Sequence, residues 1–255
     1  TNTLNVGLVH DAMVEYMLSR CEAEGVALRS VNPLVCECND STLNHIAERA
    51  VGREHVFSAL ADCRADFAEG AVGAGRGMRC HGLKGGIGSA SRVLAFDGRT
   101  YTIGILVQSN HGVLSDLTVS GVNIGAGLAR TLETRAADQG SIIAVLATDL
   151  PLDARQLARV ARRVSVGLAR LGSHIGHGSG EVFVAFSTAN PFDFRAENAV
   201  RMTTAFHEEL LDLPFRAAAE CAEEAVLNSM LTAHTVTGWQ GNTVYALPEL
   251  WRPGG

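Results

Sequence analysis

Aromatic residues make up only 5% of this 255-residue chain. Alanine, valine and leucine must therefore supply most of its core. Basic charge is also scarce: 21 Lys+Arg stand against 27 Asp+Glu, for a net charge of −6. No basic tract or aromatic-interleaved basic face occurs, which excludes nucleic acid as the main partner. Long apolar runs are absent. The strongest, Ile142–Ala147 and Val182–Phe186, fall far short of the roughly 20 residues that span a bilayer, so no membrane partner is expected. The opening Thr1-Asn-Thr-Leu-Asn has no basic segment leading into an apolar core, so no secretory signal is visible. The six cysteines lack metal-ligand spacing. Cys36 and Cys38 are one residue apart, and the adjacency of Cys80 and His81 argues against both holding one ion. We expect no metal, no cofactor and free thiols in a reducing cytoplasm.

What is present reads as alternating helices and strands. Residues 5–24 have helical apolar spacing with Asn5 as cap, Val31–Cys36 reads as a short strand, and Glu54–Asp66 as a helix. Residues 70–88 contain too many glycines for a regular element and imply a backbone that approaches something closely. Gly77 and Gly82 have Walker spacing, but Leu83 precedes Lys84 and Gly85 stands where a hydroxyl belongs, so phosphate binding is not expected. Asp97-Gly98 marks a hairpin between Arg92–Phe96 and Thr100–Val107, and Ser120-Gly121 a shorter one between Leu114–Val119 and Val122–Ile124. Gly125–Gly140 is irregular, Ile142–Ala147 and Glu181–Phe186 are buried strands, and Asp153–Leu171 and Ala217–Ala233 are helices. This mixture predicts an α+β layered fold in one domain, residues 1–255.

Two loop-to-strand junctions carry chemistry. Ser141 follows Gly140 at the head of a buried strand. On pattern alone this is an ordinary junction. Were the Gly140–Ser141 bond cut, however, the Ser141 hydroxyl would lie beside its own α-amine, whose ordinary pKa of about 7.7–8.0 suits a general base. Gly178-Ser179-Gly180-Glu181 precedes the second strand, and by alternation Ser179 and Glu181 point to one side. The bland alternative is a polar strand cap. His174 and His177 sit in a glycine-rich loop, a poor scaffold for fixed ligands.

Several segments, in order, resemble the L-aminopeptidase/D-esterase (DmpA-type) family. They are Gly77-Met-Arg-Cys-His-Gly-Leu-Lys-Gly-Gly-Ile-Gly-Ser-Ala-Ser-Arg92, Val107-Gln-Ser-Asn110, Gly140-Ser-Ile-Ile-Ala-Val-Leu-Ala-Thr-Asp149, Ala161–Gly172, Gly178–Glu181, Ala185–Asn190 and Glu223–Asn228. The resemblance implies a four-layer αββα sandwich like that of N-terminal nucleophile (Ntn) hydrolases. It also implies autocleavage between Gly140 and Ser141, giving an α part of 1–140 and a β part of 141–255. Ser141 matches the nucleophile, Ser179 and Glu181 the pair that orients it, and Asn110 an oxyanion-stabilising asparagine. Glu37 matches a residue that receives the substrate ammonium, and Asn39 lies in the same pocket segment. The resemblance implies short peptides, amino-acid amides or esters as substrates, and a homotetramer of processed protomers. Thr1–Ala12 resembles a family interior rather than a family start. Residues 36–44 carry small polar side chains where an aromatic pocket residue is expected. The alternatives are a catalytically impaired binding homologue or an endo-amidase like the nylon-oligomer hydrolases. An acetyltransferase is disfavoured, because those relatives use a threonine nucleophile.

Overall fold

In the computed structural model, which describes residues 1–133, 140–192 and 199–252, two helices, α1 (Val6–Ala23) and α2 (Arg53–Ala61), pack on each other ahead of the sheet. A tight ribbon of β1 (Arg79–Cys80) and β2 (Leu83–Lys84) leads into the long hairpin of β3 (Gly86–Phe96) and β4 (Arg99–Asn110). The short ribbon β5 (Thr118–Val119) and β6 (Val122–Asn123) and helix α3 (Gly125–Thr131) follow. Then come β7 (Ser141–Thr148), α4 (Ala154–Ala161), α5 (Val164–Arg170), β8 (Gly180–Ser187) and α6 (Asp212–Leu231). A last ribbon, β9 (Val236–Thr237) and β10 (Thr243–Val244), and α7 (Leu247–Leu250) complete the described elements.

The central sheet has the order β3-β4-β7-β8. Its first pairings are antiparallel and β7–β8 is parallel. A parallel pair needs a crossover, and α4 and α5 provide it. The β3–β4 turn places Asp97 and Gly98 at φ 51° and 74°, the left-handed pair that matches strand twist in a two-residue hairpin. Asp153 caps α4: its carboxylate accepts the Gln156 N–H at 2.7 Å, and the Gln156 side chain accepts the Asp153 N–H at 3.1 Å.

One sheet face is covered by α4, α5 and α6, and alternation supplies its core: Ile103, Ile105 and Val107 from β4, and Ile142, Ala144 and Leu146 from β7. The helix α6 meets them with Ala217, Ala218, Cys221, Ala222, Ala225 and Val226. These small side chains let the helix lie close to β3, which is how a core with few aromatics closes. Gly88 marks the closest approach: a Cβ there would overlap the Ala225 carbonyl oxygen. The other face carries Val93, Leu106, Val182 and Phe186, all exposed. The helix layer α4–α6 and the four-stranded sheet are the layers that carry the Ser141 end.

Several boundaries differ from the sequence-based expectation. Val31–Cys36 forms no strand. Pro33 removes a ladder donor, and pairing in this region is limited to a bridge between Asn2 and Cys38. The predicted helix 153–171 is two helices. An Arg163 N–H to Val160 O bond of 2.9 Å tightens the turn between them, so that Val160 and Val164 both stay in the core. The second helix ends at Ala61, before Asp66, while α6 begins five residues ahead of Ala217. The glycine run includes short strands and the start of β3, and the stretch read as irregular contains α3. Of that stretch, residues 134–139 lie outside those described.

Candidate active site

Ser141 is the first residue of β7, at the sheet end where four segments converge. The β4–β7 register sets Ser141 opposite Asn110, and the β7–β8 register sets it beside Gly180. Alternation puts these three on the face not covered by α6. Gly140 is pressed against β4, and a Cβ there would overlap the Asn110 carbonyl oxygen. Only glycine allows that approach. The Gly140 carbonyl accepts the Gly180 N–H at 3.2 Å, so the carbonyl preceding the serine is already polarised by a backbone donor.

Asn110 is buried, and its amide is fixed from both ends. Its Oδ1 accepts the Arg79 N–H at 2.8 Å, and its Nδ2 donates to the Asn39 carbonyl at 3.0 Å. An asparagine amide has two N–H donors, and this bond uses one of them. The Asn39 side chain accepts the Ser41 N–H at 3.1 Å and braces its own loop. Glu37 is half-buried, and its carboxylate accepts the Thr3 hydroxyl. Between these two lies Cys38, fully buried, with Sγ 3.9 Å from the carbonyl oxygens of Gln108 and Ser141. Burial, reinforced by the charge of Glu37, pushes the Cys38 thiol up to about 12. It stays a thiol and does not compete with the serine as nucleophile. The 37–39 segment thus seats against the Ser141 end of the sheet.

Ser179 donates to the Glu181 carboxylate at 2.5 Å, so this pair is assembled. The register places Glu181 beside Ile142, on the helix-covered face, and Gly180 beside Ser141. Glu181 and Ser141 therefore start from opposite faces of the sheet. His174 lies 3.6 Å from Asp116 in an exposed loop contact.

Three buried polar groups support this end of the sheet without announcing themselves in the sequence. Lys84 has no exposed surface, and its ammonium donates to the carbonyls of Gly75, Met78 and Gly85 at 2.7, 2.9 and 2.8 Å. Burial pushes it down to about 8. Asp40 is buried with Asn44 donating to it, and burial raises its carboxyl above the usual range. His111, next to Asn110, is pushed down to about 3 by burial and by the neighbouring His81, so it is neutral at physiological pH. A lysine inside a glycine-rich run was the available signal for the first. The others depend on contacts distant in sequence.

Residues 1–244 match the peptidase family S58 model. The chain belongs to peptidase family S58. It is 40% identical to the β-peptidyl aminopeptidase BapA of Sphingosinicella microcystinivorans over 98% of its length, and spans 66% of that relative. The L-aminopeptidase D-Ala-esterase/amidase from Ochrobactrum anthropi, a prototype serine aminopeptidase with a variant of the Ntn hydrolase fold, superimposes with a TM-score of 0.86. The two are 39% identical, and the match covers 96% of this chain and 69% of that one. A Burkholderia sp. β-aminopeptidase superimposes with a TM-score of 0.85 at 39% identity, covering 99% of this chain and 74% of that one. The S58 chain thus has an α+β fold of the Ntn-hydrolase type, as its motif order implied.

Proposed function

We propose that this S58 chain is a self-processing serine aminopeptidase acting on short peptides, amino-acid amides or esters. The observation that carries the reading is the junction itself. Gly140 is forced to be glycine, its carbonyl is held by the Gly180 N–H, and Ser141 follows at the head of a rigid strand. In maturation the Ser141 Oγ attacks the Gly140 carbonyl carbon. The C–N bond breaks and its nitrogen takes the hydroxyl proton, giving an ester between the two residues. Water hydrolyses that ester to a Gly140 carboxylate and a free Ser141 amine. This divides the chain into parts 1–140 and 141–255. In turnover the amine takes the proton of its own hydroxyl as Oγ attacks the substrate carbonyl, then gives it to the leaving amine or alcohol. Water releases the acyl group in a second step. Asn110 and backbone N–H groups stabilise the oxyanion. Ser179 and Glu181 orient the serine, and Glu37 with Asn39 receives the substrate's ammonium end.

Six free thiols suit a reducing, cytoplasmic compartment. No helix among the described residues is long and apolar enough to cross a membrane.

Mass spectrometry tests maturation and assay tests specificity. Wild type is expected to split at Gly140/Ser141, and Ser141→Ala to remain one chain. Amides with a free amine are expected to be cleaved and their acetylated forms to resist. β-Amino-acid amides belong in the same panel because relatives bear that name. An alanine variant that still splits before residue 141 overturns the nucleophile. Equal cleavage of acetylated amides points instead to an endo-amidase.

A further inference from the structure

Behind Asn110 lies a side-chain cluster that the peptidase chemistry does not use. Cys80, His81 and His111 are all buried, and the Cys80 sulfur and one ring nitrogen of each histidine lie within 4.8 Å of one another. Adjacency of Cys80 and His81 argued against a shared ion, and the turn between β1 and β2 overturns that argument. His81 and Gly82 have φ of 48° and 73°, the left-handed pair of a two-residue hairpin. Strand alternation stops at such a turn, so the His81 ring swings to the side of Cys80. The His81 N–H donates to the His111 carbonyl at 2.6 Å, tying the turn to the chain leaving β4.

The geometry within the cluster suits a ligand shell. The Cys80 sulfur is 3.9 Å from His111 Nδ1. Bonds of about 2.3 Å to sulfur and 2.05 Å to nitrogen would set that pair about 3.6–3.8 Å apart, so it needs little adjustment, and the widest pair must close by about 1 Å. His81 Nδ1 faces the Val113 carbonyl at 3.1 Å. A carbonyl only accepts, so Nδ1 carries the proton in this contact, as second-shell carbonyls arrange in metal sites. His111 faces the Cys80 sulfur with Nδ1, the nitrogen the shell would use, which leaves the ring proton to the buried Nε2.

We infer that Cys80, His81 and His111 form a buried site for a thiophilic transition ion, Zn2+ or Cu+. One thiolate and two imidazoles are soft or borderline donors that select these ions. Mg2+ and Ca2+ require oxygen ligands, which this set lacks. Binding converts the Cys80 thiol to thiolate and releases one proton to solvent. The ion would brace the β1–β2 turn against the end of β4, the two segments that fix Asn110 through the Arg79 N–H. It is a positioning element, distinct from the serine chemistry. The inference does not rest on the peptidase reading.

The test uses the full chain expressed in zinc- or copper-supplemented medium and purified without chelator, with metal measured by plasma mass spectrometry. Wild type is expected to carry about one ion per chain, and which ion fills it separates zinc from copper. Cys80→Ser and His81→Asn, the latter chosen because asparagine tolerates the left-handed turn, are expected to lose it about tenfold with unchanged circular dichroism. Refolding wild type with Co2+ is expected to give the near-ultraviolet thiolate-to-cobalt band, a readout that remains if the variants fail to fold. Sub-stoichiometric metal of about a tenth or less in every medium, or a cobalt band that survives in Cys80→Ser, overturns the site.

Discussion

Lys84 places an ammonium where no water reaches, and three carbonyl oxygens replace its lost hydration. Lys84→Met keeps most of the apolar stem but leaves the Gly85 carbonyl without its donor, while the Gly75 and Met78 carbonyls keep the Met78 and Gly85 N–H groups at 3.3 and 3.1 Å. An unsatisfied group costs about 1–3 kcal/mol, so the variant is expected to lose about that much, measured by urea denaturation. Burial has lowered the lysine from its ordinary 10.5 to about 8. Between these values the unfolded chain binds more protons than the folded one, so this residue makes stability rise with pH across that window. Below about pH 8 the folded protein bears the penalty of a buried charge, and above about pH 10.5 that penalty is gone. The difference between wild type and Lys84→Met, measured at pH 7.5 and 10, is expected to show this rise in wild type alone. A pH-independent difference means that the three carbonyls hold the charged form as well as water does. The sequence placed Lys84 only as a failed Walker lysine. Its isolation from solvent comes from β1, β2 and the Gly73–Gly77 turn closing around it.

At the scale of the element, register carries the site. A slip of one residue between β4 and β7 would turn Ser141 away from Asn110 and invert every core position of β7. The depth of Ile103, Ile105, Ile142 and Leu146 forbids that slip. The helix α6 fixes the other side through small residues. Gly88→Ala is expected to push it off β3, since the added Cβ would overlap the Ala225 carbonyl and lie 2.7 Å from the Ser229 nitrogen. Overpacking of this kind costs about 1–3 kcal/mol, a fall of roughly 3–10 °C in melting temperature for a chain this size. Gly7→Ala is the control: nothing lies within 4 Å of a Cβ there, and alanine favours α1 by up to about 1 kcal/mol. Calorimetry on both is expected to show opposite shifts. Equal shifts would mean that α6 moves aside at little cost. The strands flanking Asp97-Gly98 were legible because both the turn and the alternation are local. The break between α4 and α5 was not, because the apolar positions of 153–171 fit one continuous helix as well as two.

At the scale of the whole molecule, we propose a homotetramer of processed protomers, since closed symmetric assemblies are the common outcome for homo-oligomers. Light scattering is expected to give four times the chain mass across working concentrations, with both fragments in each protomer. A monomeric mass counts against the assembly but leaves the chemistry at Ser141 untouched, because every residue assigned there comes from one chain. The open sheet face presents Val93, Val182 and Phe186 at 68%, 52% and 46% exposure, and a partner protomer seated there would cover them.

The sequence by itself determined the left-handed hairpin turns at Asp97-Gly98 and Ser120-Gly121, the apolar strands β7 and β8, the long helix α6 and the motif order that marks an S58 peptidase. Those signals act over a few residues, through backbone sterics and the alternation of side chains. Tertiary structure alone decided that Asn110 faces Ser141, that Gly180 holds the Gly140 carbonyl, and that Glu181 falls beside Ile142. It also dissolved the strand expected at Val31–Cys36, buried Lys84 and gathered Cys80, His81 and His111. Each of these depends on segments far apart in the chain being pressed together, and no local preference encodes which partner arrives.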